Sequence, residues 1–130
     1  MNQSPKAKAA PRAADQPDME MADVLRIVHQ TIDSKKGEDI VILDLTESVD
    51  YLDYLVICTG QTEIHNRAIV DEVNAVLARY DIIPDGLYGH RHGGWILLDY
   101  GVLVVHAFLA PLREFYRLEE LWAAGKAVEI

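Results

Sequence analysis

A single cysteine, Cys58, denies this 130-residue chain an internal disulfide, which suits a reducing compartment. Nor does any apolar run approach the ~20 residues needed to cross a bilayer, and the first residues lack the apolar core of a signal peptide. Cations are scarce as well: 12 Lys and Arg face 21 Asp and Glu, for a net charge of -9 and a pI near 4.8. Such a body repels nucleic acids at long range, because binding these polyanions depends on Lys and Arg. No strong direct nucleic-acid binding and no membrane partner are therefore expected. A basic protein is the better electrostatic match, and the expected location is cytoplasmic. Glycine is also thin where a nucleotide loop would need it. Gly60 stands at a strand-to-helix turn, but no second or third glycine follows at nucleotide-loop spacing and there is no Gly-Lys-Ser/Thr.

What is present is enough for one domain that buries its own core without disulfide or metal. Met1 to Pro17 is rich in Ala, Pro and Lys with no periodic apolar residues, so a disordered, solvated extension is expected; Lys6, Lys8 and Arg12 are scattered along it. The domain then runs over 18–124, followed by a tail over 125–130 that is expected to fray. Asp18 is the expected N-cap of a helix of about four turns, with Val24, Leu25, Val28 and Ile32 on one stripe and a stop near Lys35-Lys36-Gly37. Asp39 to Leu45 and Tyr51 to Thr59 are nearly continuous apolar runs, as strands in the middle of a helix-covered sheet should be. Thr62 is the expected N-cap of a helix to Tyr80 that buries Ile69, Val73, Val76 and Leu77. A loop over 82–94 has room for a short strand at Gly86 to Tyr88. Trp95 to Asp99 and Val102 to Ala110 follow as two strands joined around Tyr100-Gly101. Alternation puts Trp95, Leu97 and Asp99 on one face and Ile96, Leu98 and Tyr100 on the other. After Pro111 one helix is expected, with Leu112, Phe115, Leu118 and Trp122 on its stripe and Trp122 capping the core.

Catalytic chemistry is poorly supplied. Asp44, Asp50, Asp53 and Asp99 lie near strand ends, where a carboxylate cluster would suit magnesium and nucleotidyl transfer. No D-x-D pair follows a Gly-Ser turn, however, and no Lys or Arg is placed to cradle phosphate. That enzyme reading stands as the alternative. His90 and His92, with His106 downstream, could be offered as zinc ligands, but the glycine-rich loop fixes neither of the first two rings. His29 has no nearby partner to make it a ligand. Cys58 reads as a small core hydrophobe, since an apolar setting raises a thiol pKa. No cofactor is expected. The block from Trp95 to Tyr116 does concentrate Trp, Tyr and Arg, the residue types that dominate interface energetics. The residues alone leave two roles open for Trp95 and Tyr100, docking a partner or capping the sheet.

The segments W-I-L-L-D-Y-G, V-V-H-A-F and R-E-F-Y-R-L-E-E-L-W, with D-Y-L-V-I-C-T-G-Q-T at Asp53 to Thr62 and A-I-V-D at Ala68 to Asp71, resemble the signature of the ribosomal silencing factor family, also called RsfS or Iojap-like. The blocks lie in register over roughly Ala22 to Trp122. The resemblance implies a compact α/β (α+β) domain, a mixed sheet of about five strands flanked by helices, with a nucleotidyltransferase-like topology that lacks the catalytic set. It also implies a non-enzymatic, usually homodimeric protein that binds the large ribosomal subunit through its protein fourteen and sterically blocks the small subunit, damping translation when nutrients are limiting. Carried over residue by residue, it points to Trp95, Asp99, Tyr100, Arg113 and Tyr116 as partner-binding, with His106 and Asp53 beside them. Two positions depart from the family pattern: Val102 stands where an acid is usual, and Ile64 where an arginine is usual.

Overall fold

Residues 19–121 and 125–129 are described by a computed structural model. The chain runs α1 (Met21–Ser34), β1 (Glu38–Asp44), β2 (Tyr54–Gly60), α2 (Glu63–Ala78), β3 (Gly86–Tyr88), β4 (Trp95–Asp99), β5 (Leu103–Leu109), α3 (Ala110–Tyr116), α4 (Leu118–Leu121) and β6 (Lys126–Ala127). The extension expected over Met1 to Pro17, the N-cap expected at Asp18 and the capping role expected of Trp122 lie outside the described residues.

Each helix follows from its stripe and its ends. In α1, Val24, Leu25, Val28 and Ile32 are buried as their spacing predicts. It stops where Lys36 turns left-handed (φ 69°) and the amides of Lys36 and Gly37 return to the carbonyls of Asp33 and Ile32, both at 2.9 Å. Those bonds satisfy carbonyls that a helix end leaves open. Thr62 does cap α2, its hydroxyl accepting the His65 amide at 3.0 Å. Ile69, Val70, Val73 and Leu77 are fully buried, while Val76, expected among them, is half-buried because the stripe is rotated toward Val70.

The sheet is mixed, in the order β3-β4-β5-β2-β1-β6. Only β2 and β5 run parallel; every other neighbouring pair is antiparallel. The continuous apolar run of β2 is explained by its central place, for Leu55 to Gly60 are all buried. One face packs Ile42, Val56, Cys58, Ile96, Leu98, Val105 and Ala107 against α1 and α2. The other gathers Leu43, Leu55, Ile57 and Phe108 under Leu45, Leu52 and Leu118. Complete burial of one such side chain contributes roughly 1.5–3 kcal/mol.

Two expectations are corrected. The segment after Pro111 is not one helix: Arg117 adopts a left-handed conformation (φ 48°, ψ 53°) and separates α3 from α4. The expected stripe is therefore broken, with Leu118 buried and Phe115 77% exposed. The tail is not frayed where it is described, since Lys126 and Ala127 pair with Asp44 and Leu43, and the Val128 amide donates to the Ile42 carbonyl at 2.9 Å. That pairing completes the expected mixed sheet at six strands.

The β4–β5 hairpin turns on Gly101, held at φ +86°. Its amide donates to Asp99 Oδ1 at 2.7 Å, and the Tyr100 amide to the Leu103 carbonyl at 2.8 Å. A left-handed conformation costs a residue with a Cβ roughly 1–2 kcal/mol. Gly101→Ala is thus expected to lower the unfolding free energy by roughly 1–2 kcal/mol, read as a lower urea midpoint at an unchanged m-value; an unshifted midpoint would show the turn to be relaxed.

Candidate functional site

With α1 and α2 on one face, the other is covered, among the described residues, by the 45–53 loop, the 7-residue α3 and the 4-residue α4. Alternation along β4 buries Ile96 and Leu98 on the helical side and leaves Trp95, Leu97 and Asp99 half-buried on the thinly covered side. Register does the rest. Trp95 lies opposite Phe108, Leu97 opposite His106 and Tyr88 opposite Leu97, so all of these side chains share one face.

The rings form a continuous row. Trp95 stacks on Phe108 with centroids 4.7 Å apart, meets Tyr116 at 4.7 Å on its other side, and lies 6.0 Å from His106. Phe115 extends the row edge-on to Tyr116 at 5.0 Å. Exposure rises along it, from Phe108 at 0% and His106 at 6% to Tyr116 at 49% and Phe115 at 77%. The Trp95 indole N–H donates to His106 Nδ1 at 2.9 Å. Nδ1 is therefore an acceptor, and the neutral ring carries its proton on Nε2. Burial disfavours the imidazolium and pushes the His106 pKa down to about 4. The row thus presents apolar ring surface with its one indole donor already satisfied.

Arg113, on α3, is turned inward and only 11% exposed. Its guanidinium donates to the Asp39 carbonyl (2.7 Å), to Thr59 Oγ1 (2.8 Å) and to Glu119 Oε2 (2.9 Å from Nε, 2.7 Å from Nη2). Burial alone would raise the Glu119 pKa, but the hydrogen bond and charge of Arg113 outweigh it and hold the carboxyl below its ordinary value.

Of the seven residues expected at the partner face, the structure brings Trp95, His106 and Tyr116 together, while Arg113 is bonded to Asp39, Thr59 and Glu119. Asp99 shares the face but sits four residues along β4, about 13 Å from Trp95. Asp53 lies at that same far end, its amide bonded to the Val102 carbonyl at 2.9 Å. Tyr100 is on the opposite face, packed against the α1–α2 core with its buried hydroxyl unpartnered, and burial pushes its ionisation up. The residues that sequence reasoning missed are Phe115, Tyr88 (58% exposed) and Thr59. Tyr88 was legible only from pairing register, and Phe115 only from the break at Arg117.

The other constellations do not assemble. Among the described residues no group of three His, Cys, Asp or Glu side chains could hold a metal ion. His90 Nε2 is paired with Asp71 at 2.8 Å, His92 is exposed and His106 is buried behind Trp95. Asp44, one of the acids in the nucleotidyl-transfer alternative, is held by the hydroxyl and amide of Thr46, which lower its pKa. Burial pushes the Cys58 thiol up to about 12, consistent with an inert core position. The Gly60 backbone runs close against Asn66, whose side chain a Cβ there would meet. Among the described residues no helix is long and apolar enough to cross a membrane.

Comparison with known proteins gives a consistent result. A family model described as "Ribosomal silencing factor during starvation" matches residues 18–130. The ribosomal silencing factor RsfS of Bacillus subtilis is 33% identical over 112 residues, covering 86% of this chain and 95% of its own length. Its counterpart from Halalkalibacterium halodurans is 32% identical over 112 residues, covering 86% and 96%. A crystal structure of a protein from Chromobacterium violaceum superposes with a TM-score of 0.78 at 28% identity, over 86% of this chain and 92% of that one.

The His106 environment predicts an acid limb of stability. The native ring stays neutral down to about pH 4 whereas an unfolded histidine protonates near 6.5. The unfolded state therefore binds more protons in that window, and stability falls as pH drops through it, by up to about 3 kcal/mol, with no contribution above 6.5. Replacing the ring by His106→Gln, which keeps an acceptor and cannot titrate, is expected to flatten the slope of stability between pH 6.5 and 4 relative to the parent. Equal slopes in the two proteins would contradict this account.

Proposed function

This chain belongs to the ribosomal silencing factor family, and on that premise we propose that it docks through its aromatic sheet face on protein fourteen of the large ribosomal subunit. Seated there in the cytoplasm, it obstructs the small subunit and represses translation when nutrients are limiting. Free of the ribosome, the chain pairs as a homodimer. The activity is obstruction, and no catalytic step belongs to it.

The observation that carries this reading is the row from His106 to Phe115, anchored at its buried end and open at the other. A rigid aromatic anchor offers large contact area at little loss of side-chain freedom, which is what a docking centre requires. Charge supports the same partner class. Asp44, Asp53, Asp85 and Asp99 all lie at the strand ends beside Tyr54 and Leu103, and with a net charge of -9 they favour encounter with a basic protein.

Sedimentation of purified subunits tests the reading. Saturating protein should leave subunits unjoined, and normal joining would reject it. Trp95→Ala should remain folded yet bind large subunits about 30-fold more weakly, the effect of losing ~2 kcal/mol at a central aromatic. Unaltered binding by that variant would make the indole purely structural. Complex formation should also weaken as salt rises from 50 to 500 mM, because charge steering is screened.

A further inference from the structure

Residue type and position would send Arg113 outward to a partner, yet its guanidinium is used internally. Its contacts join three elements: the Asp39 carbonyl at the start of β1, the Thr59 hydroxyl near the end of β2, and the Glu119 carboxylate on α4. Two of these anchor points adjoin backbone that side chains rarely adopt. Asp39 itself is left-handed (φ 51°), and so is Arg117 (φ 48°), two residues before Glu119. Such conformations persist only where the surroundings over-determine them, and the three hydrogen bonds and the ion pair of one planar fork adjoin both. Between Arg113 and Glu119 the chain makes the α3–α4 turn, and Tyr116, which meets Trp95 at 4.7 Å, is carried on that turn.

We infer that Arg113 is a positioning residue: it fastens the α3–α4 turn to the sheet, holds the Tyr116 ring against Trp95, and supports docking without touching the partner. The binding half of this inference rests on the proposed ribosomal docking; the structural half does not. Lysine is no substitute, because a compact ammonium on a flexible stem cannot reach a carbonyl, a hydroxyl and a carboxylate in fixed directions at once. The charge would survive an Arg113→Lys change, but the fork geometry would not.

The test uses the full chain in two measurements. In the free protein, Arg113→Lys should move the Trp95 indole N–H resonance in a nitrogen-15 correlation spectrum toward its position in Tyr116→Ala. Against purified large subunits, the same variant should bind about tenfold more weakly, and in a Tyr116→Ala background it should cost nothing further, because the ring it positions is gone. An unmoved indole resonance would overturn the inference. So would an equal loss of binding with and without Tyr116, which is the behaviour of a direct contact. Should Arg113→Lys not fold, Glu119→Gln keeps an acceptor while loosening the fork, and must shift the same resonance in the same direction or the inference fails. If the parent protein does not bind large subunits at all, the docking reading falls while the resonance still decides the role of Arg113.

Discussion

The parallel seam between β2 and β5 is the constraint from which the rest follows. Tyr54 to Gly60 lie in register with Leu103 to Leu109 over seven pairs. Parallel neighbours cannot be joined by a tight turn, so the intervening chain must climb over one face of the sheet and return. It does so through α2, with α1 laid beside it, and comes back through β3 and β4 to pair with the far edge of β5. Both long helices are thereby committed to one side. Among the described residues the other side keeps two short helical pieces and a loop, and Trp95, Leu97 and Val104 stay partly open.

That uneven cover is what gives the molecule a face. The aromatic row would be unremarked core in a sheet sandwiched equally; here its last two rings emerge into water while its first two remain sealed. The indole donor finds an acceptor within the same domain, so the ring can lose water on contact without abandoning an unsatisfied hydrogen bond. A surface of this kind binds by shape and apolar area. Among the described residues no converging metal-ligand set accompanies it.

Much of this was legible from local pattern. Alternation alone assigned Trp95 and Leu97 to one face and Ile96 and Leu98 to the other, because two-residue periodicity is a property of the strand itself. Thr62 as a helix cap was equally local. What failed was tertiary. The break at Arg117 sits within a hydrogen-bond fork from Arg113 to a residue six positions away and to two others on the sheet, and nothing in the periodicity of 111–122 encodes those contacts. Phe115 was consequently placed in the core when it belongs to solvent. The family resemblance points to Arg113 and Tyr100 as partner-binding; the structure turns the Arg113 guanidinium inward and places Tyr100 behind the sheet.

The two-residue strand β6 has a practical corollary. An unprotected outer strand offers a row of free amides and carbonyls on which other chains can grow. Lys126, Ala127 and Val128 occupy part of that row on β1, and the Lys126 ammonium pairs with Glu47 at 3.1 Å to pin the stopper in place. Trimming the polypeptide at Gly125 to obtain a minimal fragment would uncover Ile42 to Asp44 and invite clumping, and a purification handle is better fused to the opposite terminus.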